Sequence, residues 1–174
     1  MDIRSSTIKT ERLTLHGINV SDAENMIDIL TNDEIALTYM LPKFTCREDA
    51  YKLFERIMTL SNSEDKFVYG IYLNERIIGF TNEVEKTDEF IELGYVIDPE
   101  FKGNGYATEA LKASINELFS MGYPLVKTGA FEGNIASMRV MEKSGMTRCD
   151  FTETVEYNGK QINCIIYMIK KASE

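Results

Sequence analysis

The residues with the clearest capacity for chemistry lie in Phe101–Leu111, FKGNGYATEAL. Gly103, Asn104 and Gly105 stand directly before a helix-forming pattern, and an apolar run, IELGYVIDPE, stands directly upstream. A strand, a glycine turn and a helix start, in that order, build an anion site. The first amides of a helix have no partner within it and carry a partial positive charge. Glycines let that backbone approach a ligand without side-chain interference. Phosphate or pyrophosphate satisfies several such donors at once. Lys102 adds a full charge at the mouth of the turn.

Two common phosphate motifs do not fit. A P-loop requires G-x-x-x-x-G-K-[ST], which is absent. A dinucleotide turn requires G-x-G-x-x-G or A, and here Thr108 stands at the third position. Two further sets of residues invite chemistry. Asn134, Ser137 and Met141 are spaced i, i+3 and i+7, so a helix places them on one face. Glu92, on the strand before the turn, is the best single candidate for a general base, with the alternative that it only orders a neighbouring element. His16 is the only histidine, so any Ser-His-Asp arrangement would need it, and it reads as structural.

The elements that must position these groups are legible in outline. RLTLHG (Arg12–Gly17) alternates as an opening strand. Ser21-Asp22-Ala23-Glu24 and Thr45-Cys46-Arg47-Glu48 have capping-box form, so helices are expected from each. In the second, Ala50, Leu53, Phe54, Ile57 and Met58 form an apolar stripe. KFVYGIYL and RIIGFTNEV flank Asn74-Glu75 as a hairpin, and FIELGYVI is a third strand ended by Asp98-Pro99. After the glycine turn, Ala107, Leu111, Ile115 and Leu118 line a helix that Gly122 and Pro124 terminate. LVKTGAF is a strand. NIASMRVMEKSG is a short helix between Asn134 and Gly145. FTETVEY and KQINCIIYMI flank Asn158-Gly159, the strongest hairpin signal in the chain. Together these predict an α/β (α+β) chain with a mostly antiparallel sheet of about six to seven strands and about four to five helices.

The chain has 174 residues, which suits one domain over 1–174. No apolar run approaches the roughly 20 residues of a bilayer span, and the first residues lack a signal-peptide core. The cysteines, Cys46, Cys149 and Cys164, are odd in number and widely spaced, which suggests neither a disulfide framework nor a metal cluster. A reducing cytoplasm is the natural compartment. With 19 basic and 28 acidic residues the net charge is −9. That argues against a nucleic-acid partner, which needs a basic face, and suits a cationic substrate drawn in by the acidic field.

Three stretches, IKTERLTLHGINVSDAENM, LGYVIDPEFKGNGYATEAL and NIASMRVMEKSGM, resemble in order and spacing the GCN5-related N-acetyltransferase (GNAT) superfamily, especially its ribosomal-protein N-terminal alanine acetyltransferase branch. In that family the turn reads [Gln/Arg]-x-x-Gly-x-[Gly/Ala]. Here it is Lys102-x-x-Gly105-x-Ala107, with a cation that cannot make a bidentate fork. The resemblance implies a GNAT fold and acetyl-CoA as co-substrate, with no metal. It also implies direct transfer of the acetyl group to a primary amine, either a peptide or protein N-terminus or a small molecule. A non-catalytic acyl-CoA-binding module of the same fold is the alternative.

The cofactor residues the resemblance implies are the backbone of Tyr95, Val96 and Ile97, and the turn formed by Lys102, Gly103, Asn104, Gly105, Tyr106, Ala107 and Thr108. Asn134, Ser137 and Lys143 follow on the later helix, and Arg139 or Lys143 is expected near the ribose phosphate. One amide among Tyr95, Val96 and Ile97 would face the thioester oxygen. Where many relatives carry an acidic tyrosine this chain has Met141, which has no proton to give, so Ser137 or a water becomes the proton source. Tyr39, Met40, Phe44 and Tyr157 are expected to line the acceptor. No membrane partner is expected, and the chain is a monomer or homodimer.

Overall fold

The computed structural model describes residues 5–172. The expected domain over 1–174 thus includes positions 1–4 and 173–174, which lie outside the described residues. Eight strands form one sheet: β1 (Thr7–Lys9), β2 (Leu13–His16), β3 (Val68–Leu73), β4 (Arg76–Lys86), β5 (Ile91–Ile97), β6 (Leu125–Phe131), β7 (Thr147–Tyr157) and β8 (Lys160–Lys170), in the order β1-β2-β3-β4-β5-β6-β8-β7. Five helices accompany it: α1 (Ala23–Leu30), α2 (Asp33–Ala36), α3 (Arg47–Ser61), α4 (Tyr106–Ser120) and α5 (Ile135–Lys143). Among the described residues, the strands and α-helices beyond those expected are the three-residue β1 and the four-residue α2, both too short to carry a periodicity.

Period-two alternation fixes the sheet's two faces. On one face Leu15, Ile71, Ile78 and Leu93 pack with Leu111, Ile115 and Leu118 of α4. On the other, Ile77, Phe80 and Val96 pack with Met26, Ile27 and Leu30 of α1 and Phe54 of α3. Asn74 and Asn158, at φ 56° and 52°, make the two hairpin turns as their types predict. The first capping interaction falls earlier than the sequence suggests. Asp22 accepts from the Asn19 amide at 2.8 Å and from the Tyr72 hydroxyl at 2.6 Å. At the second, Thr45 bonds Asp49 and Cys46 stands at the N-cap.

Every strand pair is antiparallel except β5 with β6. That parallel pairing covers only Ile91↔Val126, Glu92↔Lys127 and Leu93↔Thr128. Past Leu93 the strands part: β5 stays on β4 as far as Ile97, and β6 stays on β8 as far as Phe131. The sheet is therefore split by a wedge at its centre.

Candidate functional site

A cavity of about 390 Å³ fills this wedge. Gly94–Ile97 form one wall and Thr128–Ala130 the other. Thr128 Oγ1 closes the apex by donating to the Leu93 carbonyl at 2.8 Å. Backbone alternation then decides which amides face the cavity. Asp98 donates its N–H to the Ile78 carbonyl on β4 at 2.8 Å. Alternate residues of an antiparallel strand point the same way, so Val96 and Gly94 also turn to β4. Tyr95 and Ile97 turn their N–H and C=O groups to the parted side. Of the three expected backbone positions, Tyr95 and Ile97 offer donors to the wedge, and Val96 lines it without an amide to give.

The glycine turn closes the wider end. Gly103 and Gly105 have φ of +78° and +80°, a region L-residues rarely adopt. Gly105 is the N-cap of α4, so the amides of Tyr106, Ala107 and Thr108 have no partner within the helix. Lys102, Gly103, Gly105, Tyr106, Ala107 and Thr108 all line the cavity. Asn104 does not. Its side chain bonds the Phe101 and Lys102 carbonyls, and its own carbonyl points to Arg12.

α5 supplies the third wall. Asn134 caps it by accepting from the Ser137 amide at 3.2 Å, and Asn134, Ser137, Arg139 and Lys143 all line the cavity. Ser137 Oγ shares a hydrogen bond with the Tyr95 hydroxyl at 2.7 Å. Burial pushes that phenol up to about 12, against the opposing pull of the Ser137 bond. It is thus a proton-bearing hydroxyl at any working pH. Met141 lies fully buried in the core behind α5 and does not reach the cavity.

The roof comes from α2 and the residues after it. Ile35, Thr38 and Tyr39 line the cavity, and Tyr39 donates to Asn82 Oδ1 at 2.6 Å beneath it. Glu34 pairs with Lys102 of the turn, and the Tyr157 hydroxyl donates to the Ala36 carbonyl at 2.9 Å from the β7–β8 hairpin. Of the four expected acceptor residues, Tyr39 alone lines the cavity. Tyr157 pins the roof from outside, Met40 is exposed, and Phe44 packs with the α1–α3 core.

Glu92 requires a correction. It does not line the cavity. Its carboxylate is 2.9 Å from Lys127 Nζ, which also holds Glu153 at 2.6 Å. Burial alone would lower the Lys127 ammonium, but its bonds to Glu153 and Glu92 outweigh this and hold it above its usual range. Lys127 is opposite Glu92 in the parallel register, so both project from the same face of adjacent strands. Glu92→Gln is expected to leave turnover within about threefold. Lys127→Met is expected to destabilise the fold by about 2–3 kcal/mol, because it leaves a half-buried carboxylate unpaired. Steady-state kinetics and urea unfolding check the two. A hundredfold loss of turnover in Glu92→Gln would restore it as a base.

His16 stacks on Tyr72, with centroids 3.8 Å apart, and its Nδ1 bonds the Gly17 carbonyl. The three cysteines are free thiols outside the cavity lining. Among the described residues no cluster of His, Cys, Asp or Glu is placed to hold a metal, and no helix is long and apolar enough to cross a membrane. Against a net charge of −9, the lining carries Lys102, Arg139 and Lys143, with no Asp, Glu or His among the described residues. An anion fits this cavity. Gly94, Phe101, Thr128, Gly129, Ala130, Ala136 and Val140 also line it without having been singled out. For Gly129 and Ala130 the only signal in the sequence was their smallness within the LVKTGAF strand.

Residues 12–147 match the family model described as an acetyltransferase (GNAT) domain. An uncharacterized N-acetyltransferase, YoaA, of Bacillus subtilis (strain 168) is 28% identical over 96% of this chain and 98% of its own. Among solved structures, the microcin C7 self-immunity acetyltransferase MccE, in complex with acetyl-CoA and AMP, superposes with a TM-score of 0.79 at 19% identity, covering 93% of this chain and 94% of that one. RimL, a ribosomal L7/L12 α-N-protein acetyltransferase in an apo form, gives 0.80 at 17%, covering 98% and 94%. At those identities the structures establish a shared fold.

Proposed function

Because the chain belongs to the acetyltransferase (GNAT) family, we propose that it moves an acetyl group from acetyl-CoA directly to a primary amine, within a ternary complex and with residues 1–174 as its single domain. One observation carries the reading. The wedge presents the free Tyr95 and Ile97 amides along one edge and opens onto the Gly103–Thr108 turn. An extended amide-containing arm can add to such an edge as a strand adds to a sheet. A pyrophosphate at the end of that arm meets the turn amides and Lys102. That MccE is a fold neighbour solved with acetyl-CoA supports the fit.

Bound acetyl-CoA supplies the activated thioester. The chain's residues supply the rest. Tyr95 and Ile97 N–H groups offer preorganised donors to the carbonyl oxygen where negative charge develops. When the Tyr95 hydroxyl is the donor to Ser137 Oγ, the serine proton is left to offer to the departing sulfur. Arg139 and Lys143 give a second cationic point for the nucleotide phosphate. The cysteines lie off the cavity, which favours direct attack over a covalent enzyme intermediate.

The acceptor amine must shed its proton in a cavity lined by no carboxylate or imidazole among the described residues. Water is then the proton's destination. An α-amine, with a pKa of roughly 7.7–8.0, loses its proton far more readily than a lysine near 10.4. This favours a peptide or protein N-terminus, or a small amine of similar basicity. The RimL fold neighbour, a protein α-N-acetyltransferase by name, points the same way. The ascending limb of kcat/KM against pH is expected to follow the acceptor's own pKa. It should lie near 8 for a peptide α-amine and move up by about two units for a lysine side chain. A limb that stays fixed when the acceptor changes would reveal an enzyme base.

Calorimetric titration with acetyl-CoA, with CoA, ATP and NAD as comparisons, tests the reading. Micromolar acetyl-CoA binding with thiol release on adding N-terminal peptides is expected. Preference for ATP or NAD, or no CoA binding, would sink it. Binding without turnover on any amine would identify an acyl-CoA-binding module.

A further inference from the structure

We infer that Arg12 is a positioning residue for the anion site, acting through the Asn104 carbonyl to hold the glycine turn with its amides facing the cavity. The inference rests on the anion-binding reading of that turn. Arg12 immediately precedes β2, far away in sequence, and does not line the cavity. Its guanidinium nevertheless touches the turn and the first helical turn together. Nη1 donates to the Asn104 carbonyl at 2.9 Å. Nε and Nη2 reach Glu109 Oε2, each at 2.7 Å. The guanidinium carbon sits 4.6 Å from the centroid of the Tyr106 ring. Glu109 Oε1 takes the Arg12 amide at 2.8 Å and the Thr10 hydroxyl at 2.6 Å. Burial alone would raise the Glu109 carboxyl, but the bonds from Thr10 and Arg12 outweigh it and hold it below its usual range.

The consequence lies in one peptide plane. The C=O and N–H of a trans peptide point in opposite directions. With the Asn104 carbonyl held by Arg12 on the outer side, the Gly105 N–H is turned to the other side, and Gly105 lines the cavity. Glycines at 103 and 105 build the turn, and they also make that peptide easy to rotate. Rotated, it would aim a carbonyl oxygen at an anion. The Asn104 side chain is tied to Phe101 and Lys102, which fixes the turn's shape and leaves its carbonyl to Arg12. Only a planar fork satisfies Glu109 and a backbone carbonyl at once. A lysine ammonium has three donors on one nitrogen and lacks the fixed spread that lets Nε and Nη2 hold Glu109 while Nη1 reaches the Asn104 carbonyl. The Arg12 side chain is 42% exposed, so its pairing adds little to global stability. Its effect is local, on the turn.

Acetyl-CoA and acetyl-pantetheine, which has the thioester arm without pyrophosphate or nucleotide, separate this role from a general structural one. Affinity is read by calorimetry with acetyl-CoA, and kcat/KM by thiol release with each donor, in wild type, Arg12→Gln and Arg12→Lys. Arg12→Gln is expected to raise the Kd for acetyl-CoA about tenfold, the effect of one lost charge-assisted hydrogen bond. Its kcat/KM with acetyl-pantetheine should stay within twofold of wild type. Should Arg12→Gln not fold, Arg12→Lys carries the same expectation, since it keeps the Glu109 pair and loses the carbonyl contact. Equal losses with both donors, or no loss with either, overturn the inference alone. Wild type that binds no acetyl-CoA overturns the reading of the turn and the inference with it.

Discussion

Gly105→Val is expected to weaken acetyl-CoA binding at least about thirtyfold with the fold intact. Two effects act together. At φ +80° a residue with a Cβ is strained by about 1–3 kcal/mol, and a β-branched one sits at the upper end. The turn relieves that strain by moving the Asn104–Gly105 peptide, which is the unit that presents the Gly105 amide. The new Cβ would lie 3.4 Å from Arg12 Nη2, an ordinary van der Waals contact, so the backbone strain and its relief carry the effect. Gly103→Ala provides the contrast. It has the same sign of φ, at +78°, but its Cβ would meet nothing within 4 Å. Strain alone then acts, and a loss of roughly fivefold is expected. Calorimetry with acetyl-CoA measures both variants, and circular dichroism checks that α4 remains. Unchanged affinity in Gly105→Val would mean that the anion is held elsewhere.

How far the site was legible depended on how local each signal is. The glycine turn and the Asn134 cap are read within a few residues, because backbone conformation and capping are set by immediate neighbours. The α3 and α4 faces and the alternation of β2 were legible from periodicity. What escaped the sequence is what strand pairing brings together. The parallel register puts Lys127 beside Glu92 and converts an expected base into half of an ion pair. The parting of β5 from β6 selects Tyr95 and Ile97 over Val96 as amide donors, and no residue type signals where two strands separate. The Tyr95 hydroxyl, as distinct from its backbone, had no expected role until α5 brought Ser137 to it across 42 positions. Arg12 likewise reads as an ordinary strand-end cation until α4 docks against β2. Met141, expected at the position of an acidic tyrosine, faces the core, so a tyrosine there would have to displace apolar packing to reach the cavity.

The Ser137–Tyr95 pair carries the second large expectation. A thiol titrates near 8.5, and the Tyr95 hydroxyl is held at about 12. Full proton transfer from the pair to a thiolate is therefore uphill. Its useful act is to donate a hydrogen bond to the sulfur as charge develops, with water completing protonation. One such donor is worth less at sulfur than the roughly hundredfold or more seen at an oxyanion. Ser137→Ala is accordingly expected to lower kcat about thirtyfold and leave the KM for acetyl-CoA within about twofold. Tyr95→Phe keeps the ring that packs against the core and removes only the hydroxyl that orients Ser137 Oγ, so about a tenfold loss is expected. Because Tyr95 acts through Ser137, the double variant should be no worse than Ser137→Ala, a non-additivity that a double-mutant cycle reads directly. Multiplied losses would show two independent donors. The pH profile adds a second check. The Tyr95 hydroxyl is pushed up to about 12, so no descending limb in the neutral to mildly alkaline range should appear on its account. If a descending limb near pH 9 were to vanish in Tyr95→Phe, the phenol would be titrating in the working range. It would then be a true general acid and not a fixed hydrogen-bond donor.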